Sequence, residues 1–295
     1  MSGIYAALIT PFDELEKPSQ TRFNDLINYL RAAKLRGFVV NGTTGLFPYL
    51  DQDERKKCID YVLNSKNKGE DIIVCVGHSN YNYIIELIRY CEREGVETIL
   101  LPPLYYIKLS GEEIIGFYRR MRIETSLKII AYNIPQLTNN PLTPEIISVL
   151  ASEGLIDGVK DSSGIFQNFQ KTIILTSKFK GFKRIIGDDY LTLQSLITGG
   201  EGAILGSANF IPGLWIELYK CLADKNLSEA VKLQKEANNL IDAMFIGSYP
   251  TAIYYILREN GVNCGLPPFP LRKLREDEII LLKKMLQNFK TGLNF

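Results

Sequence analysis

Short apolar, β-branched runs recur along the chain at a nearly constant interval: Ile4–Thr10, Phe38–Asn41, Ile72–Gly77, Thr98–Leu101, Lys128–Asn133, Ile156–Lys160, Arg184–Gly187 and Ala203–Gly206. They lack the apolar–polar alternation of a sheet with one wet face, so they predict strands covered on both faces. Between them lie stretches with apolar residues at helical spacing and polar or glycine edges, among them Arg22–Arg36, Asp53–Lys66, Tyr81–Glu94, Glu112–Glu124 and Gln167–Ser177. Strand followed by helix, eight times over, predicts an α/β fold of the (β/α)8 barrel kind, a TIM barrel, across residues 1–209. From residue 210 to residue 295 the strand pattern stops, and helices are predicted at Gly213–Leu222, Ser228–Ile246, Thr251–Asn260 and Glu276–Asn288. No Pro/Gly-rich linker separates this part, which predicts a C-terminal helical extension packed on the barrel. A doubly wound open sheet is the other arrangement to weigh, but no G-x-G-x-x-G follows the first strand, which weakens a dinucleotide reading.

Charge and rare residues narrow the chemistry. Lys and Arg number 34 against 33 for Asp and Glu, a formal net charge of +1, which gives no electrostatic case for nucleic acid or an anionic membrane. The run Ile4–Ile9 is short and lacks the charged flank of a signal peptide, and no apolar stretch approaches the roughly 18 residues of a membrane span. The expectation is a soluble, cytoplasmic protein. Five cysteines, Cys58, Cys75, Cys91, Cys221 and Cys264, are scattered without a C-x-x-C pair, which argues against disulfides and zinc knuckles. His78 is the single histidine, so a His-based metal site or a Ser-His-Asp triad has almost no material to work with. Any reaction must use Lys, Tyr, Thr, Ser or carboxylates.

The stretch DGVKDSSG, 157–164, puts Lys160 at the carboxyl end of the sixth strand, the end where barrels of this kind carry their chemistry. An ammonium at the end of a core strand is costly unless paired or made neutral, and a neutral amine is the nucleophile that condenses with a carbonyl. Strand parity puts Gly158 on the same side as Lys160 and turns Asp161 the other way, so Asp161 is a poor ion-pair partner. The absent side chain of Gly158 leaves room beneath the lysine. An ion-paired or snorkelling lysine stays open as the alternative. Tyr132, in AYNIP, ends the preceding strand one βα unit earlier, so its phenol can stand beside the amine and move protons, or its ring can simply fill the barrel. NGTTG, 41–45, follows the second strand; Thr43 and Thr44 offer hydroxyl and amide donors to a small carboxylate, or form a plain turn. Asp161, Ser162 and Ser163 are expected to serve the turn and helix cap after the sixth strand. His78 reads as a satisfied loop histidine, and SYPTAIYYIL, 248–257, as a helix-packing or subunit face.

Taken together, GTTG at 42–45, YNIP at 132–135 and GVKDSSG at 158–164 resemble, in order and spacing, the motifs of the N-acetylneuraminate lyase and dihydrodipicolinate synthase superfamily of class I aldolases, from Ile9-Thr10-Pro11 nearly to the C-terminus. The resemblance implies Lys160 as the imine-forming lysine, Tyr132 as the proton relay, and Thr43 and Thr44 as holders of the pyruvate-derived carboxylate. It implies no cofactor and no metal, and a homotetramer in which a tyrosine of PPLYY, Tyr105 or Tyr106, crosses to the neighbouring subunit's site. IIGDD at 185–189 and GSAN at 206–209 match pocket-lining loops, which makes Gly187, Asp189 and Ser207 expected substrate contacts. Two departures choose among members: Leu137 stands where dihydrodipicolinate synthases usually carry an arginine for a second carboxylate, and Leu46 stands where G-[TS]-T-G-E has its glutamate. NGTTGLFP is most similar to archaeal 2-keto-3-deoxygluconate aldolases. The implied activity is reversible cleavage of 2-keto-3-deoxygluconate to pyruvate and glyceraldehyde, a step of Entner–Doudoroff carbohydrate breakdown. Lys108 and Met244 align with arginines of relatives that also accept the phosphorylated acid, so that form is expected to be handled less well. N-acetylneuraminate lyase, dihydrodipicolinate synthase, sugar-acid dehydratase and a non-catalytic barrel that binds anions through Lys160 are the competing readings.

Overall fold

Eight strands close on themselves in chain order in the computed structural model, which describes residues 2–287. They are β1 (Gly3–Ala7), β2 (Gly37–Val40), β3 (Asp71–Cys75), β4 (Thr98–Leu101), β5 (Lys128–Asn133), β6 (Gly158–Asp161), β7 (Lys183–Ile186) and β8 (Gly202–Leu205). The helices are α1 (Gln20–Arg31), α2 (Gln52–Asn64), α3 (Tyr81–Arg93), α4 (Gly111–Glu124), α5 (Pro135–Thr138), α6 (Pro144–Ser152), α7 (Phe166–Thr176), α8 (Thr192–Ile197), α9 (Pro212–Ala223), α10 (Leu227–Ile241), α11 (Thr251–Glu259) and α12 (Glu276–Gln287). The (β/α)8 barrel with C-terminal helices is therefore the fold. No helix among the described residues is long and apolar enough to cross a membrane.

Local sequence explains where the helices begin. Asp51 and Glu54 form a capping box at α2, Ser110 and Glu113 form another at α4, and Ser19, Asn80 and Thr143 cap α1, α3 and α6. Proline opens α5, α6 and α9, where its missing N–H has no partner to lose. The helices α5, α6 and α8 lie outside the stretches named from the sequence. The helix expected over Ser228–Ile246 ends as α10 at Ile241 and continues as a single 3₁₀ turn, Asp242–Phe245. Asn288, expected to end the last helix, lies outside the described residues.

The described residues divide into two compact units: 2–3 with Asp71–Ile204, and Ile4–Glu70 with 205–287. In the first, β3 to β8 pair in parallel with their neighbours, and nearly every strand residue is buried, as strands covered on both faces require. Arg184, at the amino end of β7, is buried yet fully engaged: Nη1 meets Glu201 Oε1 at 2.7 Å, Nε donates to Thr176 Oγ1 at 2.8 Å and Nη2 to the Thr176 carbonyl at 2.6 Å. That end of the strand reads as structural.

In the second unit β1 pairs with β2, and α9 packs against α10. β1 stops at Ala7, three residues before the expected Thr10: the Leu8 N–H still donates to the Val39 carbonyl of β2 at 3.0 Å, and beyond it side chains take over. The Ile9 N–H donates to Asn209 Oδ1 at 3.2 Å, and the Thr10 carbonyl accepts from the fully buried Tyr254 Oη at 2.8 Å. Trp215, also fully buried, anchors α9.

Gly158 shows a different physical need from the one expected. A Cβ there would lie 2.6 Å from the Lys183 carbonyl oxygen and 2.8 Å from its Cβ, so the glycine admits the backbone of β7 rather than making room for Lys160. Gly158→Ala should therefore cost about 1–3 kcal/mol of stability, as overpacking does in tight cores. The check is a urea melt; an unshifted midpoint would contradict the close approach.

Candidate active site

Register decides what faces what. β5 and β6 pair so that Tyr132 lies opposite Lys160 and Asn133 opposite Asp161, which brings the two expected catalytic residues together near the carboxyl ends of adjacent strands. Because side chains alternate along a strand, the Tyr132–Lys160 pair and the Asn133–Asp161 pair project to opposite faces. Lys160 is 5% exposed, and its Nζ sits 4.3 Å from the centroid of the Tyr132 ring, over its face. Among the described residues no carboxylate forms an ion pair with it. The ion-paired alternative is thus not what the structure holds: the buried amine has an aromatic face for a neighbour instead of an anion.

Asp161, two per cent exposed, serves the loop behind the lysine. Its Oδ1 accepts from the Ser163 N–H at 2.8 Å and its Oδ2 from Asn133 Nδ2 at 3.1 Å, while Asn133 Oδ1 accepts from the Leu142 N–H at 3.0 Å. Burial raises the Asp161 carboxyl above the ordinary aspartate value, against the lowering effect of its bonds from Ser163 and Asn133. The turn expected of Asp161 to Ser163 is present, but the expected helix cap is not: Ile165 occupies the N-cap of α7 and makes no side-chain cap bond. Ser163 Oγ instead accepts from the Ile165 N–H at 3.2 Å, before the helix begins.

Gly187, expected to touch substrate, has a further structural duty. A Cβ at that position would overlap Ser162 Oγ and Lys160 Cε, so this glycine, not Gly158, gives the lysine stem its space. Its carbonyl accepts from Ser162 Oγ at 3.0 Å and its N–H donates to the Asp161 carbonyl at 2.7 Å, which locks the end of β7 against that of β6.

In the second unit the NGTTG loop is held by its own backbone constraints. Asn41 adopts a left-handed conformation and donates from Nδ2 to the Arg55 carbonyl at 3.0 Å; Thr10 Oγ1 donates to the Gly45 carbonyl at 2.6 Å. A Cβ on Gly45 would press on the Leu8 carbonyl at 3.0 Å, which explains the second glycine. Thr43 is half-buried and Thr44 buried. The Thr44 hydroxyl lies 2.7 Å from Tyr249 Oη, a partner that the sequence reading placed on a packing face.

The remaining expected residues scatter in role. Tyr106 is 85% exposed at φ +84°, a conformation costly for a residue with a Cβ, whereas Tyr105 is half-buried. The loop that carries both is braced by Asn140, missed in the sequence: its Oδ1 accepts from the Leu109 N–H at 2.7 Å, and its Nδ2 donates to the carbonyls of Leu104 at 2.7 Å and Ile107 at 2.8 Å. Asp189 is buried in the 3₁₀ turn Asp189–Leu191 after β7, which Asp188 caps through the Tyr190 N–H. Ser207 is fully buried and its Oγ accepts from Trp215 Nε1 at 2.8 Å, so this side chain ties the loop after β8 to α9. His78 is a loop residue as expected; Nδ1 accepts from the Asn80 N–H at 2.8 Å and the ring packs edge-on against Tyr83. Leu137 and Lys108 are exposed and Met244 is buried.

Comparison with known proteins bears on this arrangement. The sequence profile of the dihydrodipicolinate synthetase family matches residues 1–289. The 2-dehydro-3-deoxy-D-gluconate/2-dehydro-3-deoxy-phosphogluconate aldolase of Picrophilus torridus is 34% identical over 88% of this chain and 97% of its own length. The 4-hydroxy-tetrahydrodipicolinate synthase of Archaeoglobus fulgidus is 30% identical over 98% of each chain. A solved structure, the 2-keto 3-deoxygluconate aldolase from Picrophilus torridus, superposes with a TM-score of 0.87 at 30% identity, over 93% of this chain and 98% of that one.

The buried carboxyl of Asp161 gives a pH signature. A carboxyl whose folded pKa is raised contributes stability that is complete below the unfolded value near 3.8 and is lost as pH rises through the folded value. The melting temperature of Asp161→Asn minus that of the wild type should therefore climb as pH is raised from below 3.8 toward neutrality. A difference that stays constant or shrinks across that window would contradict the assignment.

Proposed function

The chain belongs to the dihydrodipicolinate synthetase family, and from that premise we propose that it is a class I aldolase, a lyase in which Lys160 forms an imine with the substrate ketone. The preferred reaction is reversible cleavage of 2-keto-3-deoxygluconate to pyruvate and glyceraldehyde, with the non-phosphorylated acid favoured. The observation that carries this reading is the buried Lys160 amine, free of a carboxylate partner and over the face of Tyr132.

The chemistry follows from that placement. The amine attacks the C2 ketone and water leaves, giving a protonated imine whose positive charge the aromatic face stabilises by the cation–π attraction that the ammonium also enjoys. The C3–C4 bond then breaks, its electron pair passing into the imine to make an enamine, while Tyr132 relays the proton from the C4 hydroxyl and the aldehyde departs. Protonation of the enamine at C3 and hydrolysis release pyruvate and restore the amine. Thr43 and Thr44 are assigned to the carboxylate, where their donors fix the plane of the imine relative to the breaking bond. Tyr105, Gly187, Asp189 and Ser207 are assigned as further substrate contacts; the Ser207 oxygen accepts from Trp215 and keeps its proton to donate. The reading carries with it a cytoplasmic homotetramer; of the two loop tyrosines, the exposed Tyr106 is the one free to reach a neighbouring copy.

Beside Leu46 and the NGTTGLFP likeness, three residues bear on substrate choice. Exposed Leu137 offers no guanidinium to a second carboxylate, which counts against the synthase activity that the Archaeoglobus fulgidus relative is named for. Met244, buried and apolar, and the exposed Lys108 replace two guanidinium groups that would favour a phosphate, although the Picrophilus torridus relative is named for both forms of the acid.

Two measurements check the proposal. Assayed with pyruvate and a panel of aldehydes, the protein should turn over glyceraldehyde at least about tenfold faster than aspartate semialdehyde or N-acetylmannosamine, expressed as kcat/KM. Turnover of either alternative with none of glyceraldehyde would overturn the substrate assignment. Tyr132→Phe should lower kcat by on the order of 10²–10⁴-fold, the range of a lost proton relay; a kcat within twofold of wild type would remove Tyr132 from the mechanism.

A further inference from the structure

The hydroxyl cluster around Thr44 points to a residue outside the assigned site. Tyr249 Oη lies 2.7 Å from Thr44 Oγ1, although the two are 205 residues apart in the chain. The fit around the phenol is tight. A Cβ on Gly206 would sit 2.6 Å from Tyr249 Oη and 3.7 Å from Thr44 Oγ1, so the glycine that opens GSAN is what admits the tyrosine. The ring is stacked on Phe245, with centroids 5.4 Å apart and planes at 28°. Met244 Sδ completes the surround, 3.6 Å from the same Gly206 Cβ position.

We propose that Tyr249 is the positioning residue for Thr44 in carboxylate binding. This rests on the reading of Thr44 given above and deepens it. A threonine hydroxyl has one proton to give and two lone pairs to accept with, and its proton swings to whichever acceptor is nearest. A phenol is the better donor of the pair. When Tyr249 donates to Thr44 Oγ1, the acceptor side of the threonine is occupied and its own proton is aimed away from the phenol, toward an arriving anion. The contact thus turns a freely rotating hydroxyl into a fixed donor before the ligand arrives, and that gain belongs to binding and not to the bond-breaking step.

The test uses the full-length protein and the pyruvate dependence of irreversible borohydride trapping, measured by mass, for wild type, Tyr249→Phe, Gly206→Ala, Thr44→Val and the Thr44→Val/Tyr249→Phe double variant. Tyr249→Phe should raise the half-saturating pyruvate concentration about tenfold, the worth of one hydrogen bond, with the trapped fraction at saturating pyruvate unchanged. Gly206→Ala reaches the same contact from the opposite side, by displacing the phenol, and should shift half-saturation in the same direction. Since Tyr249 acts through Thr44, the double variant should bind pyruvate no more weakly than Thr44→Val alone. Unchanged half-saturation in both Tyr249→Phe and Gly206→Ala, or losses that multiply in the double variant, would overturn the inference while leaving the imine chemistry standing. Absence of trapping in the wild type would instead remove the reading of the site, and this inference with it.

Discussion

The parallel register of β5 and β6 is the constraint on which the rest of the site depends. It sets Tyr132 opposite Lys160 and, one residue on, Asn133 opposite Asp161. Because a strand repeats every two residues, a slip of β6 by one position would set Asp161 opposite Tyr132 and turn Lys160 to the other face. On the other side of β6 two close approaches fit it to β7: Gly158 admits the backbone of Lys183, and Gly187 admits the stem of Lys160. A lysine buried to this degree is unfavourable on solvation grounds alone. It is retained against an aromatic face, with the nearby carboxylate turned outward and spent on Ser163 and Asn133. That separation keeps the Lys160 nitrogen away from the anion, with a hydrogen-bonded loop behind it.

Much of this was legible in the sequence, and the reason is that barrel strands obey a simple period. β4 and β5 coincide with the predicted runs Thr98–Leu101 and Lys128–Asn133, and strand parity alone separated Lys160 from Asp161. Local rules failed where a group's partner lies far along the chain. Gly158 was read for the space its side chain leaves beneath Lys160, yet its neighbour is the backbone of β7, whose distance no local pattern specifies. Ser207 sits in a pocket-like motif, and the sequence gives no sign that its oxygen also accepts from Trp215 on α9. Asn140 braces the Tyr105–Tyr106 loop through carbonyls more than thirty positions upstream. Its only local sign is an asparagine before a proline at the end of a short helix, a place where chains turn.

Tyr249 shows the same limit most clearly. In the sequence it belongs to an aromatic-rich helix start, for which packing is the natural reading, and Phe245 does pack on its ring. Only its hydroxyl distinguishes it, through a contact with a threonine on the loop after β2. The two threonines of that loop are therefore not equivalent. Thr44 is buried and has the phenol beside it, while Thr43 is half-exposed. The loop itself is held by the Thr10 hydroxyl and by the left-handed Asn41, which places its rigidity in the backbone rather than in the side chains that would meet a ligand.

The central claim is that the nitrogen of Lys160 becomes covalently joined to a ketone. Peptide mapping by mass spectrometry after incubation with pyruvate and borohydride addresses it most directly. The account predicts a reduced pyruvyl group on the peptide that contains Lys160 and on no other, and none in Lys160→Ala. Unmodified Lys160 under conditions that saturate the protein with pyruvate, or a group carried by a different lysine, would contradict it.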